Sequence, residues 1–261
     1  MLKLNQPQLA VYDDPQGPKF EGAFAPKQSH NPQMVKVVSY NIDDGKEVVQ
    51  AARELRMYNP LRGSDFILLQ EMDEYGTDKI ARELQVNYIY YPSTRPKRNA
   101  RNFGNAILSP WPLTQPEKII LPHRHPTNKQ LRIATKATAL LPQKEITLYS
   151  VHTETYTVVT SHRKAQVQAL VNHIGPGENA VIVGGDFNTV SGRSIRRLKR
   201  LFSKIGMLRA SSGAGTTVKK YYTRPSAADH IFTRGFTVKN RGSLHATLAS
   251  DHFPVWVELL L

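Results

Sequence analysis

A mixed α/β domain, with sheets inside and helices outside, is the fold class this sequence predicts, and three observations carry it. Over the first half of the chain, short apolar runs rich in β-branched residues alternate with stretches at helical spacing, and strand-like runs dominate later. At 261 residues and 40% hydrophobic content, the chain is long enough to build one large core. No apolar run approaches the ~20 residues that a membrane-crossing helix needs.

Taken in order, residues 1–33 hold five prolines and little periodicity, and an irregular N-terminal arm is expected there. The folded domain is expected over 34–261. "MVKVVSYNI" reads as a strand and "KEVVQAARELRMY" as an amphipathic helix. "SDFILLQEMDE" is a second strand, "TDKIARELQV" a second helix and "NYIYYPST" a third strand. "FGNAILSPWPL", "RIATKATALL" and "EITLYSVHTE" read as further strands, and "SHRKAQVQALVNHI" as a helix with Ser161 as its cap. "AVIV" opens a buried strand that runs into "GGDFNTVSG". "SIRRLKRLFSKIG" places Ile195, Leu198, Phe202 and Ile205 on one helix face, with Gly206 as its stop. "AADHIFTRG", "FTVKNRGSLH" and "HFPVWVELLL" close the chain as strands.

Charge and composition narrow the function classes. There is no cysteine, which excludes disulfides, thiolate metal sites and a cysteine nucleophile. Thirty-five Lys and Arg stand against 21 Asp and Glu, a formal charge of +14 that suits a polyanionic partner. The excess is concentrated. From Phe187 to Ala228 there is no acid but there are ten basic residues, among them Arg193, Arg196, Arg197, Lys199, Arg200, Lys220 and Arg224. From Gln85 to Lys144 the one acid is Glu117. The first residues lack a basic start followed by an apolar block, so no signal peptide is recognised; a cytoplasmic location is expected, or a secreted one if the chain is a processed form.

The ends of the apolar runs are polar. Asn41, Glu71, Asn105, His152, Asp186 with Asn188, Asp229, and Asp251 with His252 each follow or interrupt a strand. A lone ionisable group there is costly unless it is paired or bound to a metal, and seven segments ending so point to a common cause. Carboxylate and carboxamide oxygens are hard ligands suited to Mg²⁺ or Mn²⁺, and two histidines can move protons or hold a phosphate. Neither a G-x-S-x-G elbow nor a Walker-type glycine loop is present.

In this order, "SYNI", "LLQEMD", "FGNAILS", "SVHTE", "GGDFN", "ADHIF" and "SDHFPV" resemble the endonuclease/exonuclease/phosphatase superfamily, the deoxyribonuclease I-like fold. The resemblance implies a four-layered α/β sandwich, two central, mostly antiparallel β-sheets flanked by helices, with the site at one end. It implies metal binding by Glu71 with Asn41 beside it and a contribution from Asp251. It implies that Asp186 orients the attacking water, that Asn188 contacts the phosphate, and that His252 sits at the scissile phosphate with Asp229 fixing its tautomer. His152 resembles the second histidine of some branches, a candidate acid for the leaving oxygen. Which histidine is acid and which is base stays open at this point, as does the number of metal ions. Asn105, Arg101, Arg196, Arg197 and Arg200 are weaker candidates for substrate binding.

The expectation is a Mg²⁺-dependent phosphodiesterase, with Mn²⁺ as the other candidate ion, acting as a nuclease on DNA or RNA. A lipid-headgroup or other small-phosphate phosphodiesterase or phosphatase is the alternative, and a catalytically inactive nucleic-acid-binding module the second. No obligate protein partner is evident, and a monomer is expected.

Overall fold

The computed structural model describes residues 9–28, 30–96, 101–219 and 226–261. Lys220 and Arg224 of the basic stretch lie outside the described residues.

Two β-sheets pack face to face. The first is built on β3 (Met34–Asn41), β4 (Phe66–Met72), β5 (Asn87–Arg95), β6 (Phe103–Ser109), β13 (Thr237–Ser243) and β14 (Val255–Leu260), in the order β5-β6-β4-β3-β14-β13. Two short strands, β1 (Ala10–Val11) and β2 (Phe20–Gly22), add to β5. The second sheet runs β11-β12-β10-β9-β8-β7, from β11 (Leu208–Arg209), β12 (Asp229–Arg234), β10 (Val181–Asp186), β9 (Lys144–His152), β8 (Ile133–Leu141) and β7 (Leu113–Ile120). One pair in each sheet is parallel, β3 with β4 and β9 with β10.

The layers follow from period-two alternation. Val35, Val37, Phe66, Leu68, Ile107, Leu148, Ile182 and Ile231 meet between the sheets. The alternate residues Val38, Tyr40, Ile67 and Leu69 face outward, against Ala52 and Leu55 of α1 (Val48–Met57) and Ile80 of α2 (Glu74–Leu84). Tyr149, Val181, Val183 and Phe232 face the other way, against Leu170 of α3 (Thr160–Ile174) and Leu198 and Phe202 of α4 (Gly192–Ser203). Helices, sheet, sheet and helices make four layers.

Several elements depart from their sequence pattern. Within the expected arm, residues 10–11 and 20–22 pair with β5, because an extended proline-rich chain can still satisfy an open sheet edge. "FGNAILSPWPL" breaks at Pro110, and the chain re-forms in the other sheet as β7, whose alternation is blurred by Pro116 and its charged neighbours. Ser161 does not cap α3. That helix starts at Thr160 behind Val159, with no side-chain cap. Helix α4 is capped instead by Ser191, in a reciprocal arrangement with Ser194.

Candidate active site

The site lies in the layer between the sheets, at the end where several strands stop together. Alternation puts Asn41 on the inner face with Val35 and Val37, Asp186 with Ile182, His152 with Leu148 and Asp229 with Ile231. Register brings them level. Asp186 lies opposite His152 on one side and Asp229 on the other. The glycine pair before Asp186 serves this approach, since a Cβ on Gly185 would fall 1.9 Å from Val151 O of the neighbouring strand.

Glu71 reaches the same layer by a different device. Regular alternation would send it outward with Ile67 and Leu69. The β4–β6 register slips between Gln70 and Met72, and Glu71 takes the left-handed conformation at φ 59°. This bulge re-aims the carboxylate. Glu71 Oε1 then accepts from Asn41 Nδ2 at 3.1 Å and lies 3.8 Å from His152 Nε2. Its Oε2 accepts from the Asp44 amide at 3.1 Å.

Asp186 is the centre of the cluster. Its Oδ2 accepts from Asn41 Nδ2 at 3.2 Å and lies 3.5 Å from His152 Nε2 and 3.9 Å from His252 Nε2. Its Oδ1 accepts from the Asn188 amide at 2.8 Å. Asn188, at φ 50°, also donates from Nδ2 to Thr153 O. His252 Nδ1 and Asp229 Oδ2 are 2.8 Å apart, which leaves Nε2 turned towards Asp186.

The charges differ sharply between the two histidines. Burial works against a charged His252, but the Asp229 carboxylate outweighs it, with help from Asp186 and Asp251, and pushes the imidazole up to about 10. Burial, and then Arg132 and His252, hold His152 well below its ordinary value. At neutral pH the site therefore holds one imidazolium and one neutral imidazole. Burial also lifts Glu71 to about 7, with the charge of Asp44 adding, and lifts Asp186 to about 6, with Asp229 adding. Such crowded, desolvated carboxylates fit a compensating cation.

Two donor sets meet that need: Asp43, Asp44 and Glu71, and Asp186, Asp229 and His252, each with ligand atoms within 4.8 Å of one another. The oxygen-rich first set suits a hard ion such as Mg²⁺ or Mn²⁺. In the second, Asp229 Oδ1 is buried without a hydrogen-bond partner among the described residues.

Other candidates stand apart. Asp251 is exposed and belongs to neither set; Ser250 Oγ lies 3.5 Å from its Oδ1. Asn105 spans the sheets, donating to Ile133 O at 2.9 Å and Ser150 O at 3.3 Å, and so ties the layers together behind the cluster. Arg101 pairs with Asp73, the cap of α2, and approaches Gly45 near the end of β4. Arg196, Arg197 and Arg200 are exposed on α4.

Three participants are not apparent in the sequence pattern. Asp43 and Asp44 follow β3 in a 3-10 turn that folds back on Glu71. Arg132, 3% exposed, places one guanidinium nitrogen 3.1 Å from His152 Nε2 and donates from the other to Glu154 Oε1 at 3.4 Å. It was hidden among the basic residues of 85–144, and only its burial sets it apart.

A family model described as "Endonuclease/Exonuclease/phosphatase family" matches residues 38–252, from β3 through His252. The chain belongs to this family. Solved structures share the fold. A Bacteroides thetaiotaomicron endonuclease/exonuclease/phosphatase family protein superposes with a TM-score of 0.70 at 19% identity, over 89% of this chain and 97% of that one. A B. thetaiotaomicron mannosyl-6-phosphatase gives 0.67 at 19%, over 87% and 100%. D. rerio TDP2, complexed with a single-strand DNA product, gives 0.66 at 16%, over 88% and 100%. A Vibrio campbellii "UPF0294 protein" is 25% identical over 116 residues, 44% of this chain and 40% of that protein's length. Members of this family are phosphoester hydrolases.

Proposed function

We propose that this protein is a divalent-metal-dependent phosphodiesterase that hydrolyses the backbone of a nucleic acid, DNA or RNA, by attack of water on phosphorus. The supporting observation is the convergence of Glu71, Asn41, His152, Asp186, Asp229 and His252 from both sheets onto one inter-sheet mouth. A bound Mg²⁺ or Mn²⁺, held by Glu71 with Asn41 beside it and Asp43 and Asp44 flanking, would neutralise charge on the phosphoryl oxygens. Asp251 is kept as a further contributor, from the exposed turn before His252.

The chain's own groups divide the remaining work. The His252 imidazolium, kept charged by Asp229, offers Nε2–H to a non-bridging phosphoryl oxygen. Asp186, fixed by Asn41 and the Asn188 amide, accepts a proton from the attacking water and orients it. Asn188, held beside Asp186, is assigned as a phosphate contact. His152 is neutral before substrate arrives, and a phosphate anion replacing the repulsion of its cationic neighbours favours its protonation, which fits it to protonate the leaving oxygen.

The charge of +14 supports a polymeric anion over a small one. The test is a panel of plasmid, single-stranded DNA, RNA, sphingomyelin, inositol phosphates and mannose 6-phosphate, with Mg²⁺, Mn²⁺ or EDTA. Cleavage of nucleic acid that EDTA abolishes is expected. Turnover confined to a small phosphate would replace this reading with the alternative one, and full phosphodiesterase activity after exhaustive chelation would overturn the mechanism.

A further inference from the structure

Helix α4 leaves the site four residues after Asn188 and carries an unusual charge distribution. At 100° per residue, Arg193, Arg196, Arg197, Arg200 and Lys204 fall within one stripe roughly 100° wide, centred away from Leu198 and Phe202 and bordered at Arg197 by Leu201. The structure leaves all five exposed. The stripe is ~16 Å long at 1.5 Å per residue.

No acid among the described residues balances it. No ion pair joins any of the five to an acid among the described residues, and the first turn of α4 holds no acidic residue. Arg193 instead sits in that first turn, where the helix dipole disfavours a cation. The i,i+4 pairs Arg193–Arg197, Arg196–Arg200 and Arg200–Lys204 each repel by a few tenths of a kcal/mol. A helix that needed only to be soluble would do better with mixed charge. This arrangement is locally unfavourable until an extended anion lies along it.

Through Arg197 the stripe also borders a cleft. This cleft, between α3 and α4, is lined by Phe187 and Leu198, by Lys164 and Arg197, and by Thr189. Phe187 and Thr189 flank Asn188 in the chain, so the cleft borders the segment that carries that residue.

We propose that the basic stripe of α4 and the α3–α4 cleft form a docking track for the phosphate backbone of a nucleic acid strand as it runs out of the catalytic mouth. This rests on the nuclease reading above and adds a direction and a set of contacts to it. Base identity plays no part, because the contacts are cationic and meet a backbone.

Catalytically inactive Asp186→Ala protein is titrated with a labelled duplex oligonucleotide and with its single strand, at several salt concentrations. The same background then carries Arg193, Arg196, Arg197 and Arg200 all changed to Gln. A control carries the same charge loss on other faces, at Lys27, Arg53, Lys79 and Lys239, which are exposed. The α4 variant should lose at least tenfold in affinity near physiological salt. Its log–log salt slope should flatten by about 0.9 per lost duplex contact, or about 0.7 for a single strand. The control should keep its slope, and melting temperatures report that both variants are folded.

An unchanged slope in the α4 variant, or equal flattening in the control, overturns the track. Unaltered nucleic acid binding with lost binding to phosphatidylserine-containing vesicles assigns the face to a lipid surface and overturns it too. Because the readout is binding by an inactive protein, its failure is separable from that of the nuclease reading, which rests on cleavage by the native chain.

Discussion

The 2.8 Å contact between Asp229 Oδ2 and His252 Nδ1 sets both the orientation and the charge of the imidazole that faces Asp186. Two consequences are measurable. Asp229→Asn and His252→Ala act on the same group, so each should lower turnover by about 10²-fold or more and the double variant by little more than the worse single one. Multiplied losses in the double variant would show that the two residues work separately. The second consequence concerns pH. With the folded value of His252 raised to about 10, above the ordinary 6.5, its contribution to stability is fully present below pH 6.5 and is lost as the pH rises towards 10. In urea melts of chelated protein, the advantage of the native chain over Asp229→Asn should be widest near pH ~6 and should shrink by pH ~9.5. A constant gap would mean that His252 is not charged in the fold.

Among the elements, β10 is the most constrained, since it packs between β9 and β12 and against the other sheet. Its two glycines face different obstacles. A Cβ on Gly185 would meet the Val151 carbonyl oxygen at 1.9 Å, a backbone atom with nowhere to go without parting β9 from β10. A Cβ on Gly184 would meet Leu68 Cδ1 at 2.6 Å, the end of a side chain that can turn. Gly185→Ala should therefore cost ~3 kcal/mol or more in denaturant melts, and Gly184→Ala ~1 kcal/mol. Equal costs would place the strain in the shared packing layer and not in the backbone contact. The same asymmetry links the strand to its chemistry, because separating β9 from β10 separates His152 from Asp186.

For the molecule as a whole, the crowded carboxylates predict that a bound divalent cation stabilises the fold, independent of any substrate. Desolvation holds Glu71 at about 7 and Asp186 at about 6 while both point into one mouth with Asp43 and Asp44 close by. Titration with Mg²⁺ or Mn²⁺ should raise the melting temperature, as mass action requires of any ligand that binds the native state alone. Glu71→Gln should shift that rise to higher metal concentration while leaving the metal-free melting temperature close to that of the native chain. A Glu71→Gln protein with an unaltered metal titration would move the cation to the Asp186, Asp229 and His252 set.

Alternation and amphipathic spacing in the sequence by itself determined the layered α/β class, the core faces of the main strands and helices, and the polar strand ends at Asn41, His152, Asp186 and Asp229. Those features are local, since a period-two strand has no choice about which residues share a face. What the tertiary structure decided is non-local. The bulge at Glu71 depends on the register of β4 against β6 and breaks the alternation that the sequence would suggest. Residues 10–11 and 20–22 became strands because β5 offered an edge. Arg132 differs from other arginines by its burial between His152 and Glu154, and Asp251 differs from the other acidic candidates by facing solvent. Charge state belongs to the same class: His152 and His252 are identical side chains, and the neutral one and the charged one are told apart by Arg132 beside the first and Asp229 beside the second, neighbours that only folding brings into contact.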